Sequence, residues 1–99
     1  MIFGKEVRVF IKGQARESYI SLKTRTDKEA QGLLNSINWV TEILKHNPQH
    51  GNPIPKRLIP KSLLKEGIQN LYRIELSNYW RMLYTIEGTK IEILILLKN

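Results

Sequence analysis

Hydrophobic residues recur in two rhythms along this chain, and the changes of rhythm divide it into elements. Val7, Val9 and Ile11 alternate with Arg8, Phe10 and Lys12, the period of two that predicts a first strand. Gly13 ends it. Ala15, Tyr19 and Leu22 then follow helical spacing, with Arg16, Glu17 and Lys23 on the other side, which predicts a short first helix. Ala30, Leu33, Leu34, Ile37, Val40, Thr41 and Leu44 keep the i, i+3, i+4, i+7 spacing for about five turns. Thr26 or Asp27 can cap this second helix, Glu29 suits its dipole, and Pro48 and Gly51 stop it.

Residues 48 to 70 read as a long connection punctuated by Pro53, Pro55 and Pro60 and carrying Lys56, Arg57, Lys61 and Lys65. Such a connection is either functional or a stiff crossover over a sheet edge. The period of two then returns three times. Tyr72, Ile74 and Leu76 alternate with Arg73, Glu75 and Ser77. Trp80, Met82, Tyr84 and Ile86 alternate with Arg81, Leu83 and Thr85. Ile91, Ile93, Ile95 and Leu97 alternate with Glu92, Leu94, Leu96 and Lys98. Turns fall at Ser77-Asn78-Tyr79 and at Glu87-Gly88.

Parity then sets register. The apolar sets of the first two of these strands must share a face, which requires an odd loop and pairs Leu76 with Trp80. Ile74 then opposes Met82, Tyr72 opposes Tyr84, and Glu75 opposes Arg81. A two-residue turn at Glu87-Gly88 sets Tyr84 opposite Ile91 and Met82 opposite Ile93. Trp80, Met82, Tyr84, Ile91, Ile93 and Ile95 are expected against the helices. Arg73, Glu75, Arg81 and Leu83 are expected on the other face, with Leu94 and Leu96 beside them. The fold class is therefore α+β, in the order β-α-α-β-β-β, with an antiparallel meander packed on two helices.

Composition adds a partner to this picture. Ninety-nine residues, 41% of them hydrophobic, suit one core and one domain over residues 1–99. Sixteen Lys and Arg against nine Asp and Glu give a net charge of +7, a surplus that either attracts an anionic partner or forms a solvated surface. There is no cysteine, so thiolate chemistry is excluded and a reducing cytoplasm is the simplest compartment. Lys5, Glu6 and Arg8 interrupt any signal-like apolar run, and Ile93–Leu97 is too short to span a membrane. His46 and His50 have ligand-like spacing, but Pro48 breaks the helix between them and no further ligand completes a metal site. No cofactor motif is present.

The stretch Gly51-Asn-Pro-Ile-Pro-Lys-Arg-Leu-Ile-Pro-Lys, then Asn70-Leu-Tyr-Arg-Ile-Glu-Leu and Tyr79-Trp-Arg-Met-Leu-Tyr-Thr-Ile, resembles archaeal members of the RelE/ParE toxin superfamily. The order of elements fits that family over nearly the whole chain. The resemblance implies an mRNA-cleaving, metal-independent endoribonuclease acting at the ribosome and neutralised by an antitoxin; ParE-type relatives act on gyrase instead. It implies that Arg81 contacts RNA phosphate and that Arg73 and the basic loop residues Lys56, Arg57 and Lys61 assist. Scission through the 2′-hydroxyl develops charge on phosphate, which fixed guanidinium and ammonium groups stabilise.

Nucleases of that family place further His, Tyr or Arg residues at or beyond the last strand, whereas this sequence stops at Leu97-Lys98-Asn99. That departure implies either a module that binds nucleic acid or a partner protein without cutting, or catalysis by Lys98 and loop residues. Tyr79, in a turn, is the aromatic best placed to stack on a base; Tyr72, Trp80 and Tyr84 belong to the core face. Glu75 opposite Arg81 reads as a cross-strand ion pair or as an acid/base pair. Outward leucines at 94 and 96 would be covered by an antitoxin, by the 48–70 segment, or by a second copy of the chain.

Overall fold

The computed structural model describes residues 6–98, which form an α+β fold; Lys5 and Asn99 lie outside the described residues. The elements are β1 (Arg8–Ile11), α1 (Gly13–Lys23), α2 (Lys28–His46), β2 (Asn52–Pro53), a 3-10 turn (Lys56–Leu58), α3 (Lys61–Lys65), β3 (Tyr72–Glu75), a tight turn (Ser77–Tyr79), β4 (Trp80–Glu87) and β5 (Lys90–Lys98). They build a five-stranded sheet in the order β1-β5-β4-β3-β2, in which β1 runs parallel to β5 and the other pairs are antiparallel.

The second helix follows its sequence rhythm closely. Asp27 is its cap, the carboxylate accepting from the Ala30 amide at 3.2 Å, so one orphan N–H of the first turn is satisfied. Ala30, Leu33, Ile37, Val40 and Leu44 form its buried stripe. They pack with Ala15 and Leu22 of α1 against Ile74, Met82, Tyr84, Ile91 and Ile93, making the main core on one face of the sheet.

The β3–β4 register agrees with the parity argument: Tyr72 opposes Tyr84, Ile74 opposes Met82, and Glu75 opposes Arg81. Leu76 donates to the Trp80 carbonyl at 2.7 Å, closing the three-residue turn. Tyr72 and Tyr84 stack on the core side with centroids 5.3 Å apart.

The β4–β5 pairing departs from expectation in two ways. The turn is Gly88-Thr89, closed by Glu87 opposite Lys90, so Tyr84 faces Ile93 and not Ile91. Gly88 has φ 60°, the positive value a two-residue hairpin turn needs at its first central position. Farther along, Leu83 pairs with Ile95, leaving Leu94 as one extra residue on β5. Beyond this bulge the alternation is inverted. Leu96, expected outside, is 1% exposed in the main core, and Ile95, expected inside, packs on the opposite face.

That opposite face carries a second, smaller core. The 48–70 segment, expected as an unstructured connection, folds back there through its 3-10 turn and α3. Ile59, Leu63 and Leu71 pack with Ile54, Ile68, Leu83, Leu94 and Ile95. Of the three coverings considered for outward leucines, the chain's own segment is the one found at Leu94.

Side-chain amides substitute for missing strand partners at two places. Gln14 donates to the Leu96 carbonyl and accepts from its N–H, both at 2.8 Å, where β1 no longer flanks β5. Asn70 donates to the Ile86 carbonyl and accepts from the Ile86 amide and the Thr85 hydroxyl, all at 2.9 Å. No helix among the described residues is long and apolar enough to cross a membrane.

Candidate anion-binding groove

Alternation along β3 puts Arg73 and Glu75 on the face away from α1 and α2, and alternation along β4 puts Arg81 and Leu83 there. The Glu75 carboxylate sits between the two arginines, its Oε1 atom 3.7 Å from the Nε of each. These are charge contacts, too long to be hydrogen bonds. Both Nε–H groups are shielded from solvent and lack an acceptor. One carboxylate thus faces two guanidinium groups, and the trio keeps a net charge of +1. An exposed ion pair of this kind contributes only about 0–1 kcal/mol to stability.

Arg73 and Arg81 open into a groove of about 270 Å³. Its walls are Pro53, Ile54, Pro55 and Leu58 from the 48–70 segment and Leu83 and Leu97 from the sheet, with Asn52 at the end. Proline fits here because β2 is the edge strand, where no ladder hydrogen bond is lost. Asn52 lies opposite Arg73 in the pairing of β2 with β3. The apolar walls lower the local dielectric, so a charge held there interacts with the guanidinium groups more strongly than it would in water.

The segment is held in place from the core side. Tyr84, fully buried, donates its hydroxyl hydrogen to the Pro48 carbonyl at 2.8 Å and accepts from the Gly51 amide at 3.0 Å. Gly51 must be glycine at that approach, since a Cβ would lie 2.9 Å from both the Tyr84 hydroxyl and Ile74 Cγ1. Burial pushes the Tyr84 phenol above its ordinary pKa, partly opposed by the Gly51 hydrogen bond.

Lys56 and Arg57 lie in the 3-10 turn between Pro55 and Leu58, which both line the groove, whereas Lys56 and Arg57 do not. Lys61 begins α3, farther along the same segment. All three are exposed. From Asn47 to Lys65 the chain has four cations, Lys56, Arg57, Lys61 and Lys65, and no carboxylate, so the segment that walls the groove is itself basic. Long-range attraction of a polyanion toward the groove follows.

Tyr79 and Lys98 lie elsewhere. Lys98 pairs with Trp80 and projects toward the helices, where its ammonium donates to Glu29 in the first turn of α2. Trp80 Nε1 donates to the same oxygen at 3.4 Å. Lys98, the Trp80 indole and Arg25 together hold the Glu29 carboxyl below the usual carboxylate range. The sheet therefore separates Lys98 from the arginines. Tyr79 stands at the hairpin tip, 78% exposed.

Sequence reasoning missed Leu97, Leu58 and Asn52 as groove residues. Asn52 was within reach of a parity argument once β2 is recognised as a strand; Leu97 was not, because the bulge carries no polar marker. His46 ends α2 and His50 lies beyond Pro48, both exposed. No protein-family model matches the chain, and no curated protein is significantly similar to it in sequence.

Proposed function

We propose that this chain is a RelE-like toxin, a metal-independent endoribonuclease that acts in the cytoplasm on messenger RNA in the ribosome. The observation that carries the reading is the convergence of Arg73 and Arg81 on one groove, where the one carboxylate paired with them among the described residues, Glu75, leaves a net positive charge. Attack of a ribose 2′-oxygen on the adjacent phosphorus expels the 5′-oxygen, and one proton leaves the 2′-hydroxyl while another joins the leaving oxygen. Negative charge grows on the non-bridging oxygens during that exchange. Arg81 and Arg73 stabilise it there, while Lys56, Arg57 and Lys61 draw the strand in.

Purified protein added to a translating extract should yield cleaved transcripts. Arg81→Ala should slow cleavage by about 100-fold to 1,000-fold, the loss typical of one transition-state donor. Intact transcripts at high protein concentration would refute the reading.

A second reading, a module that binds nucleic acid without cutting it, is favoured by the groove's lining. Among the described residues, that lining holds no His, Tyr, Lys or carboxylate to act as general acid or base. Steeply salt-dependent RNA binding with no scission would establish it. A neutralising antitoxin is a partner the family resemblance suggests, and a second copy of the chain is one that outward leucines would suit; neither has Leu96 as a landing point, since that side chain is buried.

A further inference from the structure

The tip of the β3–β4 hairpin combines features that a bare turn does not need. Asn78 and Tyr79 both adopt left-handed backbone conformations, with φ of 56° and 65°. Asparagine tolerates that region, but a bulky aromatic does so at a conformational cost. The strained residue also leaves its ring 78% exposed, so burial does not compensate for the strain. The turn is held firmly nonetheless, since the Ser77 amide donates to the Ser36 hydroxyl on α2 at 3.2 Å.

Beside the ring lies an open depression of about 450 Å³ lined by Lys28, Glu29, Asn78, Tyr79 and Lys98. Its one carboxylate, Glu29, is engaged by Lys98, Trp80 and Arg25. Lys28 takes part in no ion pair among the described residues. It also sits in the first turn of α2, where a cation opposes the helix dipole. An exposed ring next to an uncommitted cation suits an unpaired nucleotide, the base on the ring and the phosphate on the ammonium.

We propose that the hairpin tip is a nucleobase subsite for single-stranded RNA, with Tyr79 stacking on a base and Lys28 meeting its phosphate. The inference rests on the reading of the Arg73–Arg81 groove as an RNA site. Arg81 follows Tyr79 by two residues, and the depression opens on the helix side of the sheet, so a strand held by the arginines reaches it around the end of the hairpin.

The test is anisotropy with a short fluorescein-labelled 2′-O-methyl oligouridylate, which resists scission. Tyr79→Gly removes the ring and suits the left-handed backbone, so the variant should fold and melt no lower than the parent. It should bind about five-fold to about 100-fold more weakly, the range for one lost base stack. Tyr79→Phe should bind within about two-fold of the parent, because stacking needs only the ring. Lys28→Gln should lower the salt slope by about one. An abasic probe of the same length should bind the parent and Tyr79→Gly alike.

Equal affinity of Tyr79→Gly and parent for oligouridylate overturns the subsite. So does a loss that persists on the abasic probe, or one seen only with an oligoglutamate peptide, which would identify an acidic protein segment as the ligand. The two proposals fail separately. Loss with Arg81→Ala but not Tyr79→Gly removes the subsite and keeps the groove, and the converse keeps the subsite and removes the groove.

Discussion

Replacing Tyr84 by Phe isolates the device that fixes the groove's outer wall. The ring stays and its packing volume is nearly unchanged, so no cavity accompanies the loss of the hydroxyl. Two partners are stranded: the Gly51 amide, which is buried, and the Pro48 carbonyl, which is half-buried. A buried donor left unsatisfied costs about 1–3 kcal/mol, whereas the carbonyl can turn partly to water, so the expected destabilisation is about 2 kcal/mol. For a domain of this size that corresponds to a fall in Tm of about 10 °C. Urea unfolding followed by circular dichroism gives the same quantity through the midpoint at unchanged slope.

The hydroxyl also predicts an alkaline limb. Its pKa is raised in the folded chain, so the folded state holds its proton at pH values where the unfolded state has lost it. The contribution is therefore complete below about pH 10, the ordinary tyrosine value, and is lost as pH rises through the folded pKa. Tyr84→Phe should lack that part of the alkaline decline. Because residues 48–51 lead into Asn52–Pro55, the variant should also weaken RNA binding at the groove. Parent-like stability in urea, together with an unchanged alkaline limb, would show that the hydroxyl does not hold this segment.

Three further outcomes follow from the same contacts. Asn70→Ala leaves the buried Thr85 hydroxyl and the Ile86 backbone without partners and should cost about 1–3 kcal/mol in chemical denaturation. Asp27, Glu29 and Glu92 have folded pKa values lowered by Arg25, Lys98 and Lys12 respectively, so their contribution is present above the ordinary carboxylate range and lost as pH falls through the folded values. Thermal melts should accordingly decline below about pH 4, and Lys98→Met should flatten part of that decline. Glu75→Gln removes the carboxylate between the arginines, so oligonucleotide affinity should rise and the salt dependence steepen; unchanged binding would mean that the arginines do not face the ligand.

The readable parts of this fold were those where polar residues mark the period. The long helix shows its stripe because Lys28, Gln31, Asn35, Asn38 and Glu42 separate the apolar positions. The β3–β4 register was legible because Arg73, Glu75 and Arg81 fix which side faces out, and a slip by one residue would bury them. Two features had no such marker. The parallel docking of β1 beside β5 depends on where a strand lies in the sheet, which alternation does not encode. In the 48–70 segment, prolines at 53, 55 and 60 suppress both periods, although a strand, a 3-10 turn and a short helix all form there.

The bulge at Leu94 had the largest consequence for the site. Ile93 to Leu97 is apolar at every position, so either face of that stretch can be buried and no residue resists an extra insertion. Uninterrupted alternation would aim Lys98 at the arginine face and Leu97 at the helices. With one residue inserted, Leu97 lies opposite Arg81 and lines the groove, while Lys98 crosses to the helix side and pairs with Glu29. The groove therefore gains an apolar wall in place of a third cation. A lysine there would add charge but bring water with it. Leucine excludes water and strengthens the field of the two arginines already present, so an anion held there meets them in a lower dielectric.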